Sequence, residues 1–178
     1  MIGYAPGTLY NAFENLGDIV LRVEVKMLEE LDGSLRSAIG EATGREAVKR
    51  FARAYLSFAH ERVRLWRLFN DHRPDGQMSV PVWYSDAVTS VTSQLEGPLG
   101  SLMPDAGSPD VAVATRALWA AIHGLAVNST CGKMGCMSLE QAQLHQEQFL
   151  DVYLDGLAAG ASKAGGIDRH TRNRGHAA

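Results

Sequence analysis

Apolar side chains return at steps of three and four residues along almost the whole chain, in segments punctuated by cap residues, glycines and prolines. That period is helical, because 3.6 residues per turn brings positions i, i+3, i+4 and i+7 onto one face. Val20, Val23, Met27, Leu31, Leu35 and Ala38 share such a face; Asn15 with Asp18 resembles a capping box at its start, and Gly40 is placed to stop it. Thr43 and Glu46 repeat the start signal ahead of Val48, Phe51, Ala52, Tyr55, Phe58 and Ala59. Leu65, Trp66, Leu68 and Phe69 predict a short helix that ends at the turn-forming Arg73-Pro74-Asp75-Gly76.

The second half follows the same rule. From Ser79, the residues Val82, Trp83, Ala87, Val91, Leu95, Leu99 and Leu102 predict a helix that Gly97-Pro98 kinks or divides and Pro104 closes. Ser108-Pro109-Asp110 joins a cap, a proline at the first helical position and an acid at the positive end of the helix dipole. Ala114, Leu118, Ala121, Ile122 and Leu125 continue that helix. Beyond the glycine-broken loop 131–136, Ser138 and Gln141 open a last helix carrying Ala142, Phe149, Val152, Tyr153 and Leu157, with its stop expected at Gly160. No segment alternates with period two and no repeat is found, so the fold class is all-α. Residues 161–178 are small and polar, with Arg169, Arg172 and Arg174, and are expected to form a disordered tail.

Composition narrows the function. With 46% apolar residues in 178, the chain can fill one core, and its net charge of -3 lacks the basic excess of a free-standing nucleic-acid binder. No apolar run is read as long enough to span a bilayer and no secretory signal is seen, so no membrane partner and a cytoplasmic location are expected. Cys131 and Cys136 are too few for a disulfide framework, and without tighter paired ligand spacing no metal is expected. His60, His72 and His145 stand among charged residues with no nucleophile–base motif, so neither catalysis nor a cofactor is expected and the histidines are read as solvated.

The opening Gly3-Tyr4-Ala5-Pro6-Gly7-Thr8-Leu9-Tyr10-Asn11-Ala12-Phe13 resembles the end of the DNA-binding domain of tetracycline-repressor-family regulators, with Thr-Leu-Tyr-x-x-Phe its specific part. Leu118-Trp119-Ala120-Ala121-Ile122-His123-Gly124-Leu125 resembles the Trp-His-Gly signature of the C-terminal domain called WHG in that family, and the likeness reaches roughly from Gly3 to Gly160. The resemblance implies a helical bundle with a ligand-binding and dimerisation domain at 17–160, preceded at 1–16 by the turn and recognition helix of a helix-turn-helix. It implies a ligand-responsive transcriptional regulator of repressor type, working as a homodimer with a small apolar or aromatic effector. Ala5, Pro6, Gly7, Thr8, Tyr10 and Asn11 would then face DNA. Tyr55, Phe58, Trp66, Phe69, Trp83, Tyr84, Trp119 and His123 would surround the effector, although any single aromatic is as readily a core residue. Ala121, Ile122, Leu125, Ala126, Phe149, Val152, Tyr153 and Gly156 would form the dimer interface, or pack within the chain.

One departure from the family pattern bears on function. Two supporting helices precede the turn in the family, whereas this sequence starts at the turn and has no Lys or Arg from Met1 to Leu16. Operator binding is therefore expected only where the head is complete. The alternative is a sensor or interaction module that does not touch DNA.

Overall fold

The computed structural model describes residues 16–71, 80–131 and 137–172, and within them all regular structure is helical. The helices are α1 (Leu16–Ile39), α2 (Gly44–Glu61), α3 (Val63–Asp71), α4 (Val82–Ser93), α5 (Glu96–Leu102), α6 (Ser108–Cys131) and α7 (Leu139–Arg172). The all-α expectation holds.

Helix α2 is the axis of the bundle and touches α1, α3, α5, α6 and α7. Its sequence suits that place. Ala47, Val48, Phe51, Ala52, Tyr55, Leu56, Phe58 and Ala59 are all buried, a stripe wide enough to meet neighbours on several sides, and its alanines let them approach closely. Each fully buried side chain of the size of Phe51 or Leu56 contributes about 1.5–3 kcal/mol relative to exposure. The polar edge of α2 pairs with α7: Lys49 Nζ lies 2.6 Å from Asp151, Arg53 lies 3.0 Å from Glu147, and Arg45 bridges Asp151 and Asp155. These pairs are largely exposed, so they align the two helices more than they stabilise them. Helices α6 and α7 run antiparallel, tied by the Tyr153 hydroxyl donating to the Ala114 carbonyl at 3.1 Å.

Local signals were met unevenly. Gly40 ends α1 in the left-handed region, φ 52°, with its N–H on the Arg36 carbonyl, a backbone shape that glycine adopts without strain. Ser138 and Gln141 form the reciprocal capping box at α7, at 2.9 and 3.2 Å. Thr43 stands at the cap of α2 but its side chain makes no cap hydrogen bond, and Glu46 turns instead to Arg50 at 2.8 Å. At α6 the capping carbonyl is that of Gly107, one residue before Ser108. The break expected at Gly97-Pro98 falls earlier, at Gln94 and Leu95, because Pro98 is tolerated in the first turn of α5, where its missing N–H would have had no partner. Helix α7 does not stop at Gly160 but runs to Arg172; one glycine among alanines costs only about 1 kcal/mol of helix propensity. Asn15 lies outside the described residues.

Two buried rows differ from the apolar count. On α1 the inward row is Leu21, Glu24, Leu28, Leu31 and Leu35, while Val23 is exposed. On α7 it is Ala142, Gln146, Leu150 and Leu154, while Val152 is 76% exposed. In each row a polar residue occupies an interior step. Val82 and Trp83 of α4 also face outward. Helix α6 is, over Ser108–Thr130, long and apolar enough by length and composition to cross a bilayer, contrary to the sequence reading. Its inner stripe of Ala114, Leu118, Ile122 and Ala126 nonetheless packs into the bundle core, and Arg116 and His123 interrupt its apolar content.

Gln146 is fully buried and neither its amide oxygen nor its nitrogen finds a hydrogen-bond partner among the described residues. Replacing it with the similarly sized, apolar leucine removes the desolvation penalty. Gln146→Leu is expected to stabilise the fold by about 1–3 kcal/mol, a rise of several degrees in thermal denaturation. A lower melting temperature would show that the amide is bonded and that the row needs its polarity.

Candidate functional site

A cavity of about 210 Å³ opens between α1, α2, α3, α4 and α6, lined by Leu28, Tyr55, Trp66, Phe69, Tyr84, Val88, Val91, Thr92, Trp119 and His123. Its aromatic wall is assembled by helical spacing. Trp119 and His123, four apart on α6, stack at 5.1 Å between centroids and 15° between planes. Tyr55 and Trp66 meet edge to face at 5.3 Å, and Trp66, Phe69 and His123 close the cluster at 5.6 to 6.4 Å.

The polar centre is a hydrogen bond of 2.9 Å between the Tyr55 hydroxyl and His123 Nδ1. Burial pushes the Tyr55 pKa above the ordinary phenol range, with the adjacent Trp119 indole acting weakly the other way, so Tyr55 keeps its proton. Burial also pulls His123 below the usual imidazole range and keeps it neutral. With the phenol donating to Nδ1, the imidazole proton sits on Nε2. The Thr92 hydroxyl is used on its own helix, bonding the Val88 and Thr89 carbonyls. The Trp119 indole nitrogen donates to the Tyr55 hydroxyl, and that of Trp66 is buried without a partner among the described residues.

On its far side the cavity touches α1. Leu28 forms part of the wall, and Tyr84 bonds the buried Glu24 of α1. Burial, and then the Glu24 carboxylate, drive the Tyr84 pKa above its ordinary range. Next to it α4 is fastened to α1 through Asp32, which accepts from Ser90 and from Gln94, each at 2.8 Å, and pairs with Arg36. Burial opposes ionisation of Asp32, but the hydrogen bonds from Arg36, Ser90 and Gln94 prevail and lower its pKa.

Six of the eight aromatic and histidine positions read from the sequence therefore meet around one space: Tyr55, Trp66, Phe69, Tyr84, Trp119 and His123. Phe58 is buried elsewhere, beneath the Arg62 guanidinium at 5.9 Å. Trp83 faces an open groove of about 420 Å³ along α1, beside Ile19, Val23, Lys26 and Glu29, with Arg22 over its ring at 5.7 Å. That groove is open to solvent and mixes apolar with charged side chains. Leu28, Val88, Val91 and Thr92 were not read as site residues; apolar side chains on helices that also carry the core give no separate signal.

His60 is not simply solvated, since its Nε2 lies 2.9 Å from the Ser129 hydroxyl. No group of three or more His, Cys, Asp or Glu able to hold a metal occurs among the described residues. Cys136, His72 and the six positions Ala5 to Asn11 read as DNA-facing lie outside the described residues.

Of the positions read as a dimer face, Ile122 and Ala126 are fully buried within the chain, and Ala121, Leu125, Phe149 and Tyr153 are partly so. Val152 and Gly156 are exposed. They continue an outward stripe of α7 with Leu144 and Gln148, and a matching stripe of α6 exposes Val113, Ala117 and Ala120. Arg116, also exposed, shares the α6 face with them.

A family model described as the tetracyclin repressor-like C-terminal domain matches residues 48–155, more than half of the chain, from α2 into α7 and without α1. The chain belongs to the tetracycline-repressor family. That family is regulatory, and its C-terminal domains generally dimerise and bind small ligands. The matched span contains all of the cavity wall except Leu28. A comparison with curated proteins finds no match.

The two lowered histidines set a pH dependence. In the unfolded chain His60 and His123 take up protons near their ordinary pKa of 6.5, whereas in the fold burial delays protonation to lower pH. Stability is thus fully present above about 6.5 and falls as pH drops toward the folded values. The lowered carboxylates Asp32, Glu46 and Asp151 act below their ordinary 3.8 to 4.5 and leave this window to the histidines. Thermal denaturation is expected at lower temperature at pH 5 than at pH 7.5, and His60→Gln combined with His123→Gln should flatten the difference. An unchanged slope in the double variant would assign it elsewhere.

Proposed function

We propose that this chain is a ligand-responsive transcriptional regulator of the repressor type, whose effector occupies the aromatic cavity. One observation carries the reading: the cavity wall includes α1, the helix that leads toward the N-terminal head. An effector that changes the position of Tyr84 or Leu28 acts directly on Glu24 and the α1 backbone, so differential affinity for two α1 positions becomes a signal. Trp119 and His123, from the segment that resembles the WHG signature, supply part of that wall. Small aromatic compounds are expected to raise the melting temperature by mass action. Trp119→Ala should abolish most of that rise, and Ser34→Ala, on the exposed face of α1, should leave it intact. Equal shifts in both variants would move the effector site away from the cavity.

The regulator acts as a homodimer through the outward stripes of α6 and α7. A second copy, related by a two-fold axis, would cover Val113, Ala117 and Ala120 with Leu144, Val152 and Gly156 in a four-helix arrangement. Small residues permit close helix approach. Light scattering should give twice 19.3 kDa at micromolar concentration, and Val152→Glu should yield monomer or aggregate. A strictly monomeric wild-type chain would refute the interface.

A second reading, a sensor that acts without DNA, is favoured by the lack of Lys and Arg in residues 1–21, the stretch that includes the segment resembling a recognition helix. Phosphate attraction dominates affinity for DNA. Fluorescence anisotropy against the promoter of its own gene across a salt series separates the two. Weak, non-selective binding supports the DNA-free sensor, and tight, sequence-selective binding removes it.

A further inference from the structure

We propose that residues 5–13 of this chain fold back as a short helix along the start of α1 and bury Leu9 and Phe13 in the open groove beside Trp83. The proposal is independent of what fills the aromatic cavity. Its first observation is the groove itself, about 420 Å³, formed by an outward face of α1 and by Trp83 at the start of α4. Ile19, Val23 and Lys26, with Arg22 and Glu29, share that face through steps of three and four residues. The face is graded along its length: Ile19, Val23 and the Trp83 ring make the N-terminal end apolar, while Lys26 and Glu29 make the far end charged. Val23 is 39% and Trp83 38% exposed. Large apolar side chains exposed singly need no explanation, but grouped in a groove they mark a contact surface.

The occupant follows from the chain itself. Residues 1–15 directly precede α1, and the apolar end of the groove begins at Ile19, within the first turn of that helix. Leu9 and Phe13 are four apart, as Ile19 and Val23 are. Four helical residues rise about 6 Å, so the two pairs match in spacing. A helix over 5–13 places Pro6 in its first turn, where proline is favoured, and leaves Glu14-Asn15 as the connection, long enough to join two antiparallel helices. Charge agrees. Arg22 and Lys26 would repel a basic segment, whereas residues 1–15 hold no Lys or Arg and one acid, Glu14. A helix this short is marginal alone in water, so its order depends on the docking. With Leu9 and Phe13 inward, Gly7, Thr8 and Asn11 lie on the opposite side. These positions, read from the sequence as DNA-facing, then stay outward and move with α1.

The test uses the full chain. Trp83 borders the groove, whereas Trp66 and Trp119 stand on the wall of the aromatic cavity. In proton–nitrogen spectra, Leu9→Asp combined with Phe13→Asp should shift the Trp83 indole signal and leave those of Trp66 and Trp119 in place, which also shows that the bundle remains folded. Asn11→Ala, on the outward side, should move none of the three. To identify the occupant, Cys131→Ser and Cys136→Ser remove the native thiols, and the pair Leu9→Cys with Val23→Cys is oxidised at low micromolar concentration. Most of the protein is expected to form an intramolecular disulfide. The pair Leu9→Cys with Leu144→Cys, whose second position is exposed on α7, should give roughly tenfold less, because docking raises the local concentration of one thiol at the other only in the groove. An unmoved Trp83 signal in the Asp variant would overturn the docking. A disulfide-linked dimer in place of the intramolecular bond would give the groove to a second copy, and equal yields from the two pairs would show a segment with no preferred seat; either result overturns the proposal.

Discussion

The whole bundle depends on the enclosure of α2. A helix touched by five others keeps only a narrow solvent edge, so its buried face is alanine, valine, leucine and phenylalanine, while charge keeps to that edge, in the Glu46–Arg50 pair and in the pairs with Asp151, Asp155 and Glu147 of α7. Tyr55 is the exception, and its hydroxyl must find a partner inside. His123 of α6 provides it at 2.9 Å. Two helices distant in sequence are thereby locked in register by one buried polar contact, whose loss would leave both groups desolvated and unpaired.

The same contact shapes the cavity. A phenol–imidazole pair cannot pack as densely against α3 and α4 as aliphatic chains would, and the flat rings of Trp66, Phe69 and Trp119 leave space between them. Around that space the hydroxyls of Tyr55, Tyr84 and Thr92 are already bonded within the chain. Its opposite wall belongs to α1, through Leu28 and through Tyr84 on Glu24. Packed interiors transmit small displacements because they cannot absorb them. A change in what fills the cavity would therefore be felt by α1.

Outside the bundle core, α6 and α7 present outward stripes of small and apolar residues that the single chain leaves uncovered. The apolar length of α6, sufficient by composition for a bilayer, has an ordinary explanation here: one side serves the core through Leu118 and Ile122, and the other, through Val113, Ala117 and Ala120, is suited to a neighbouring helix. Ile122 and Ala126 could not be assigned between these sides from spacing alone, because both sides of the helix are apolar.

Helical period, cap residues and the order of segments were legible without coordinates. They specified an all-α chain, the termini of α1 at Gly40 and of α7 at Ser138, and six residues of the cavity wall, because side chains three and four apart must share a face and large aromatics must be buried. The tertiary structure alone decided which face turned inward where polar residues interrupt the count. Glu24 and Gln146 stand in buried rows that an apolar tally skips, so Val23 and Val152 were read as inward when they face out. It also decided that Phe58 and Trp83 leave the cavity while Leu28, Val88, Val91 and Thr92 enter it. Periodicity fixes which residues of one helix lie together, but the faces that meet depend on crossing angles and on partners for buried polar groups, and those are properties of the packed whole.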